Sequence, residues 1–302
     1  MTVIIPFHQG EQNLDWRDLC HALDAGHLRP KAEVQDSFLY RGADTLLTRS
    51  AWIDGLGIAV KAATVFPDNP AQGRPMIGGA MNLLDDADGS LAAVVDFHLV
   101  TKWKTAGDSL CAAIKLARPD SQNILIVGTG TVGASLYDAY SAGYPKAAFT
   151  VWNRTPAKAR SFAQARGIAW AEDLETAIRS ADIVTSATMS TDPLIMGDWL
   201  QPGQHIDLIG AYRRDMREAD DTAIQRARLF VDNIDTTLNH IGELRIPLAK
   251  GVITPRDIVA DFYQPDAFYR TDDTEITLFK NGGGAHLDLM CARYIFDAWS
   301  AG

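Results

Sequence analysis

Cysteine is scarce in this chain. Cys20, Cys111 and Cys291 are the only three in 302 residues, odd in number and far apart. They offer no metal-ligand spacing and no disulfide framework. Long hydrophobic runs are missing as well: none approaches the roughly 18 residues that span a bilayer. Positive charge is in the minority, with 28 Lys and Arg against 38 Asp and Glu and a formal net charge of −10. Such a balance argues against a nucleic-acid partner, whose phosphates need a basic surface. Met1 to Pro6 is apolar but has no basic n-region, so no signal peptide, no membrane partner and a cytoplasmic location are expected. What remains is ordinary globular composition, 47% hydrophobic and 22% charged, over a length that suits two domains.

From Asp36 to Val95 short apolar runs alternate with turn residues. The runs are Ser37–Tyr40, Thr45–Thr48, Gly57–Phe66, Met76–Leu84 and Leu91–Val95, and they predict an antiparallel sheet. A helix is expected ahead of it over Asp15–Gly26, with the glycine as its C-cap. Helical periodicity returns from Thr101 to Arg118 and stops before Pro119. The pattern then changes to strands alternating with helices: Asn123–Val127, a helix from Thr131, Ala148–Trp152, a helix from Pro156, Ile183–Thr185, His205–Ile209, a helix over Glu218–Arg226, and Leu229–Val231. That alternation predicts a parallel sheet with right-handed crossovers. Ile276–Phe279 reads as a strand, and Ala285–Ser300 as a closing helix.

Ile124 to Gly133 reads ILIVGTGTVG. Gly128, Gly130 and Gly133 fit the G-x-G-x-x-G pattern between a strand and a helix, where a dinucleotide pyrophosphate is held. Gly128 would allow the tight turn, Gly130 the approach of the phosphates, and Gly133 the close packing of helix on strand. The second strand ends in Asn153-Arg154-Thr155, with no acidic residue for a ribose 2′-hydroxyl. Arg154 can instead pair with a 2′-phosphate, which favours NADP(H) while leaving NAD(H) possible.

Lys61 is the one charged residue between Gly57 and Phe66. Strand alternation puts Ile58, Val60 and Phe66 on a core face, and Ala59, Lys61 and Ala63 on the other, where small neighbours leave room for a ligand at the amine. The alternative is a lysine whose tip reaches water. Lys104 is expected in the first turn of the helix beginning near Thr101, where a cation opposes the helix dipole. A broken local rule points to function, here an anion held by Lys104 and by Arg49 on the preceding hairpin strand.

KAATVFPDN, LVTKWKTAGDS, ILIVGTGTVG, VWNRT, IGAYRRDMRE, IGEL and TLFKNGGGAHLD occur in this order. Together they resemble the ornithine cyclodeaminase/mu-crystallin family. The resemblance implies an α/β fold: a Rossmann-type doubly wound parallel sheet inserted into an α+β substrate and dimerisation domain with an antiparallel sheet. The domains would be residues 1–117 plus 279–302 for substrate and dimerisation, and 118–278 for the dinucleotide. It implies a homodimer and a small imino or amino acid substrate; no metal site is expected. Lys61 would be the catalytic lysine. Thr101 to Gly107 matches the family's T-x-x-R-T-A-A motif, with Lys104 in place of arginine and Gly107 in place of alanine. Arg49 and Arg41 are the nearest candidates for the upstream carboxylate-binding arginine. Implied cofactor contacts are Thr105, Gly128, Gly130, Thr131, Val132, Asn153, Arg154, Thr155, Ala187, Thr188, Gly210, Tyr212 and Gly283.

Cyclodeaminases of the family place an aspartate near position 212, where this chain has Tyr212. The GAY sequence and the N-R-T pattern are similar to the reductase-like branch. The implied activity is NADPH-dependent reduction of a cyclic ketimine such as Δ1-pyrroline-2-carboxylate. Ornithine cyclodeamination with catalytic NAD, alanine-type dehydrogenation, and ligand binding without turnover are the alternatives.

Overall fold

A computed structural model describes residues 2–302; Met1, the first residue of the apolar Met1–Pro6 stretch, lies outside the described residues. The chain begins with β1 (Val3–Ile5), α1 (Phe7–Glu11) and α2 (Trp16–His27). Five strands follow: β2 (Glu33–Arg41), β3 (Asp44–Ile53), β4 (Gly57–Val65), β5 (Ile77–Leu84) and β6 (Leu91–Asp96). The long α3 (Phe97–Leu116) leads to β7 (Asn123–Val127), α4 (Thr131–Gly143), β8 (Ala148–Trp152), α5 (Pro156–Arg166), β9 (Ala169–Trp170) and α6 (Leu174–Ser180). Then come β10 (Ile183–Ser186), β11 (His205–Leu208), α7 (Asp221–Arg226), β12 (Arg228–Val231), α8 (Ile234–Thr237) and α9 (Gly242–Ala249). The chain closes with β13 (Ile258–Ala260), β14 (Thr277–Lys280) and α10 (Ala285–Ala301). Two compact units result, Met1–Lys104 with Gly283–Gly302, and Thr105–Gly282. The division falls inside α3, so its second half goes with the parallel sheet.

The first unit holds a six-stranded sheet in the order β1-β6-β5-β4-β3-β2. β2 to β6 form the expected antiparallel meander, and β1 adds a parallel strand beside β6. The faces of β4 are the reverse of the expectation. Gly57, Ala59, Lys61 and Ala63 are buried, whereas Ile58 and Val60 are only half-buried. The reason is α10, which packs on β3 and β4. Small side chains on β4 let a helix come close on that face.

Two helix boundaries also differ. Gly26 lies inside α2, which Asp15 caps by accepting from the Arg17 and Asp18 N–H groups. The glycine serves packing rather than termination: a Cβ there would lie 2.6 Å from the Met290 sulfur. α3 starts at Phe97, not near Thr101, because the Asp96 carboxylate caps the His98 and Leu99 N–H groups. Lys104 therefore sits in the second turn, and the expected pocket of free N–H groups beside it does not exist.

The second unit carries eight parallel strands in the order β13-β12-β14-β11-β10-β7-β8-β9. Its central strands are buried on both faces: Leu125, Val127, Val184, Ile206, Leu208 and Leu278 on one face share a single core, and Ile124, Ile126, Ile183 and Phe279, which alternate with them, are buried as well. The predicted helix from Glu218 starts only at Asp221, with Asp220 as its cap. Glu218 is left in the segment ahead of it.

Candidate active site

The first unit gathers three of the predicted cations. Lys61 projects from β4 toward α10 and α3, and only 6% of it is exposed. Its Nζ donates to Asp288 Oδ1 at 2.9 Å and to Thr101 Oγ1 at 3.0 Å, and lies 4.8 Å from the centre of the Phe97 ring. Asp288 occupies the first turn of α10, where a carboxylate also suits the helix dipole. Burial pushes the Asp288 carboxyl up, but Lys61, Lys104 and Arg49 outweigh it and hold it below the usual carboxylate range.

Arg49 lies directly across from Lys61 in the β3–β4 register and from Asp36 in the β2–β3 register. Its Nε and Nη2 grip the Asp36 carboxylate, at 3.0 and 2.8 Å. Its Nη1 donates to the Gly283 carbonyl at 2.6 Å, and Lys104 Nζ donates to the same oxygen at 3.3 Å. Gly283 has φ +71°, a left-handed conformation in which glycine is at ease, and this aims its carbonyl at both cations. Arg41, the other candidate arginine, is on the opposite face of the sheet. It pairs with Asp44 near a hairpin end, and its side chain is 80% exposed. Lys61, Arg49, Lys104 and Gly283 thus converge, and Arg41 does not join them.

Sequence reasoning passed over Asp288, Thr101 and Asp36. Asp288 had a signal as the one acid in the first two turns of the closing helix, and Asp36 as a residue paired with Arg49 across a hairpin; Thr101 meets Lys61 only through tertiary packing. The cluster offers fixed N–H donors and an ammonium, a donor set that suits a carboxylate beside a basic nitrogen.

In the second unit the glycine turn joins β7 to α4. Gly128 has φ +113°, and a Cβ there would lie 2.6 Å from the Ala187 carbonyl oxygen. A Cβ on Gly133 would meet the Gly128 oxygen at 2.2 Å. Gly130 differs: a Cβ there would meet nothing within 4 Å. Gly130 is the N-cap of α4, no side chain caps that end, and Thr131 and Val132 follow in the first turn. Open space over a helix N-terminus fits the pyrophosphate of a dinucleotide.

Asn153 closes β8, accepting from Thr129 Oγ1 at 3.2 Å and donating to the Thr155 carbonyl at 3.2 Å. Arg154 and Thr155 are exposed at the start of α5. Ala187 and Thr188 follow β10, and Gly210 follows β11, a cradle so tight that a Gly210 Cβ would lie 2.1 Å from the Thr188 oxygen. Tyr212 is 57% exposed. Thr105 is held in α3, where its carbonyl accepts from Asn281 at 3.0 Å. No group of three or more metal-ligating side chains exists among the described residues.

Comparisons with known proteins fit this geometry. The model of the ornithine cyclodeaminase/mu-crystallin family matches residues 51–302. A Δ1-pyrroline-2-carboxylate reductase of Paracoccus denitrificans is 50% identical over 291 residues, covering 93% of this chain and 92% of that protein. The structure of Thermococcus litoralis Δ1-pyrroline-2-carboxylate reductase in complex with NADH and L-proline has a TM-score of 0.90 at 25% identity, covering 98% and 97% of the two chains. An archaeal alanine dehydrogenase dimer with bound NAD has the same TM-score of 0.90 at 25% identity, covering 99% and 96%.

Proposed function

This chain belongs to the ornithine cyclodeaminase/mu-crystallin family and is an NAD(P)H-dependent oxidoreductase acting on carbon–nitrogen bonds, and on that premise we propose that it reduces a small cyclic imino acid of the Δ1-pyrroline-2-carboxylate type to an L-amino acid such as proline. The observation that carries the reading is the buried Lys61 ammonium fixed by Asp288 and Thr101, with Arg49 and Lys104 gathered on the Gly283 carbonyl.

Arg49 and Lys104 would bind the substrate carboxylate. Lys61 would hold a proton at the imine nitrogen, which makes the adjoining carbon a better hydride acceptor. Asp288 and Thr101 orient the ammonium, so little reorganisation is needed as charge changes at nitrogen. A nicotinamide cofactor, when bound, supplies the hydride. Glycines 128, 130 and 133 and the first turn of α4 would hold its pyrophosphate, and Ala187, Thr188, Gly210 and Tyr212 stand at the strand ends on the nicotinamide side. Arg154, flanked by Asn153 and Thr155, favours NADPH over NADH, because a cation there pairs with a 2′-phosphate and no carboxylate repels it.

The active form is a homodimer built on the sheet face opposite Lys61. That face carries Leu39, Leu46, Trp52, Ile58, Val60, Leu84 and Val94, with Trp52 49% and Leu39 68% exposed. The dimer of the alanine dehydrogenase relative supports this. An apolar sheet face of this extent is uncommon on a monomer.

The test is NADPH and NADH oxidation against Δ1-pyrroline-2-carboxylate, Δ1-piperideine-2-carboxylate, and 2-oxo acids with ammonium. Turnover of the cyclic imines, lost in Lys61→Met but with cofactor binding retained, is expected. Conversion of ornithine to proline and ammonia without net NADPH use would overturn the proposal. So would reduction only of 2-oxo acids with ammonium, or ligand binding without turnover.

A further inference from the structure

One buried acid in the second unit is used by nothing described so far. Glu218 has no exposed surface. Its carboxylate accepts five hydrogen bonds, from the last residue of β10 and from the two loops that follow β10 and β11. Oε1 takes Ser186 Oγ at 2.6 Å, the Thr188 N–H at 2.8 Å and Thr188 Oγ1 at 2.8 Å. Oε2 takes the Gly210 N–H at 2.6 Å and the Ala211 N–H at 3.3 Å. The first set lies at the carboxyl end of β10 and the second at the carboxyl end of β11, neighbouring parallel strands.

Glu218 is itself held from behind. The Glu243 carboxylate accepts the Glu218 N–H at 2.7 Å and the Ala219 N–H at 3.0 Å. The IGEL segment thus anchors the backbone of the segment that carries Glu218. The Gly210 cradle leaves no slack, since an added Cβ there would lie 2.6 Å from Glu218 Oε1. A buried carboxylate is an expensive way to join two loops if packing alone were needed. Its return is geometric: one group with two oxygens sets the distance between two strand ends.

In an open parallel α/β sheet, ligands bind outside the carboxyl ends of the strands. The glycine turn follows β7 and the ribose-reading loop follows β8, on one side of the switch point. β10 and β11 lie on the other side, where the nicotinamide half belongs. We propose that Glu218 is a positioning residue of the dinucleotide site, its carboxylate fixing the Ala187–Thr188 and Gly210–Ala211 loops in the spacing that receives the nicotinamide half. The proposal rests on the dinucleotide reading above, and it predicts an effect confined to one half of the cofactor.

Glu218→Gln is nearly isosteric, but glutamine must turn its amide nitrogen toward one set of donors. Two measurements test the role on the full-length protein. Amide hydrogen exchange without ligand should quicken at Thr188, Gly210 and Ala211. Calorimetric titration should show NADPH bound about ten- to a hundredfold more weakly, the loss of one or two hydrogen bonds to a charged group. Binding of 2′-phospho-ADP-ribose, which lacks the nicotinamide, should be unchanged.

Equal weakening of both ligands would mean general support of the fold and overturns the proposal, as does undiminished NADPH affinity. If Glu218→Gln does not fold, Ser186→Ala removes one donor and keeps the acid; it should show the same one-sided weakening to a smaller degree, and unaltered NADPH affinity again overturns the proposal. Wild-type protein that binds 2′-phospho-ADP-ribose and NADPH equally well would refute the role of these loops while sparing the dinucleotide site. Wild-type protein that binds neither would refute the dinucleotide reading itself, and this proposal with it.

Discussion

Breaking the Lys61–Asp288 pair should cost far more than removing it whole. The pair spans 2.9 Å, with side-chain exposures of 7% and 2%. Two charges so placed attract by roughly 6 kcal/mol at an effective dielectric near 20. Removing one partner leaves the other buried and uncompensated, for which about 3–5 kcal/mol is typical. Lys61→Met and Asp288→Asn should therefore each destabilise the first unit by that order. In the double variant no charge is stranded, so it should recover at least about 2 kcal/mol of the summed loss. Urea unfolding followed by near-ultraviolet circular dichroism is a suitable assay, because the stacked Trp16–Trp103 pair of the same unit, with centroids 3.9 Å apart, reports its packing. Simple additivity of the two single losses would refute the account of a coupled, buried pair. The pH dependence has a defined sign. Asp288 has a depressed folded pKa, so its contribution is present above the ordinary carboxylate range and is lost as pH falls through the lowered folded value. Asp288→Asn should remove that acid limb.

Four other outcomes are expected. Gly130→Ala should leave stability within about 0.5 kcal/mol while weakening NADPH, since its Cβ enters open space; unaltered NADPH binding by titration would contradict the pyrophosphate role. Gly133→Ala should instead destabilise by about 1–3 kcal/mol, because its Cβ meets the Gly128 carbonyl oxygen, and an unchanged melting curve would count against that packing. Arg154→Ala should move the ratio of kcat/KM values toward NADH by about tenfold, the worth of one charge-assisted contact, and an unmoved ratio would refute the 2′-phosphate role. In the second unit, burial lowers the His205 pKa to about 3, so its stability contribution is lost as pH falls from about 6.5 toward 3. Burial raises Asp207 to about 6, so its contribution is lost as pH rises from about 4 to 6. The two oppose each other between those limits. Relative to the wild type, Asp207→Asn should add a decline toward acid of about 1.4 kcal/mol per pH unit between about pH 4 and 6 in urea unfolding, and a slope unchanged from the wild type would refute the assignment.

Much of this architecture was legible along the chain because its causes are local. The glycines of Ile124–Gly133, the alternation of apolar runs and helices after Pro119, and the missing acid at the end of β8 all act through nearest neighbours and short periods. The same holds for Lys61 as a lone charge in an apolar strand. The starts of α3 and α7 were missed because of nearby caps, Asp96 and Asp220, but elsewhere the deciding contact came from far away. Which face of β4 is buried depends on α10, more than two hundred residues later in the chain, and strand alternation is equally consistent with either face. Gly26 looks like a helix terminus until Met290 arrives to need its missing side chain. Asp288 became the partner of Lys61, and Glu218 the clamp of two loops, only through folding. A carboxylate's worth depends on the burial and the donors around it, and neither is a property of the chain read in one dimension.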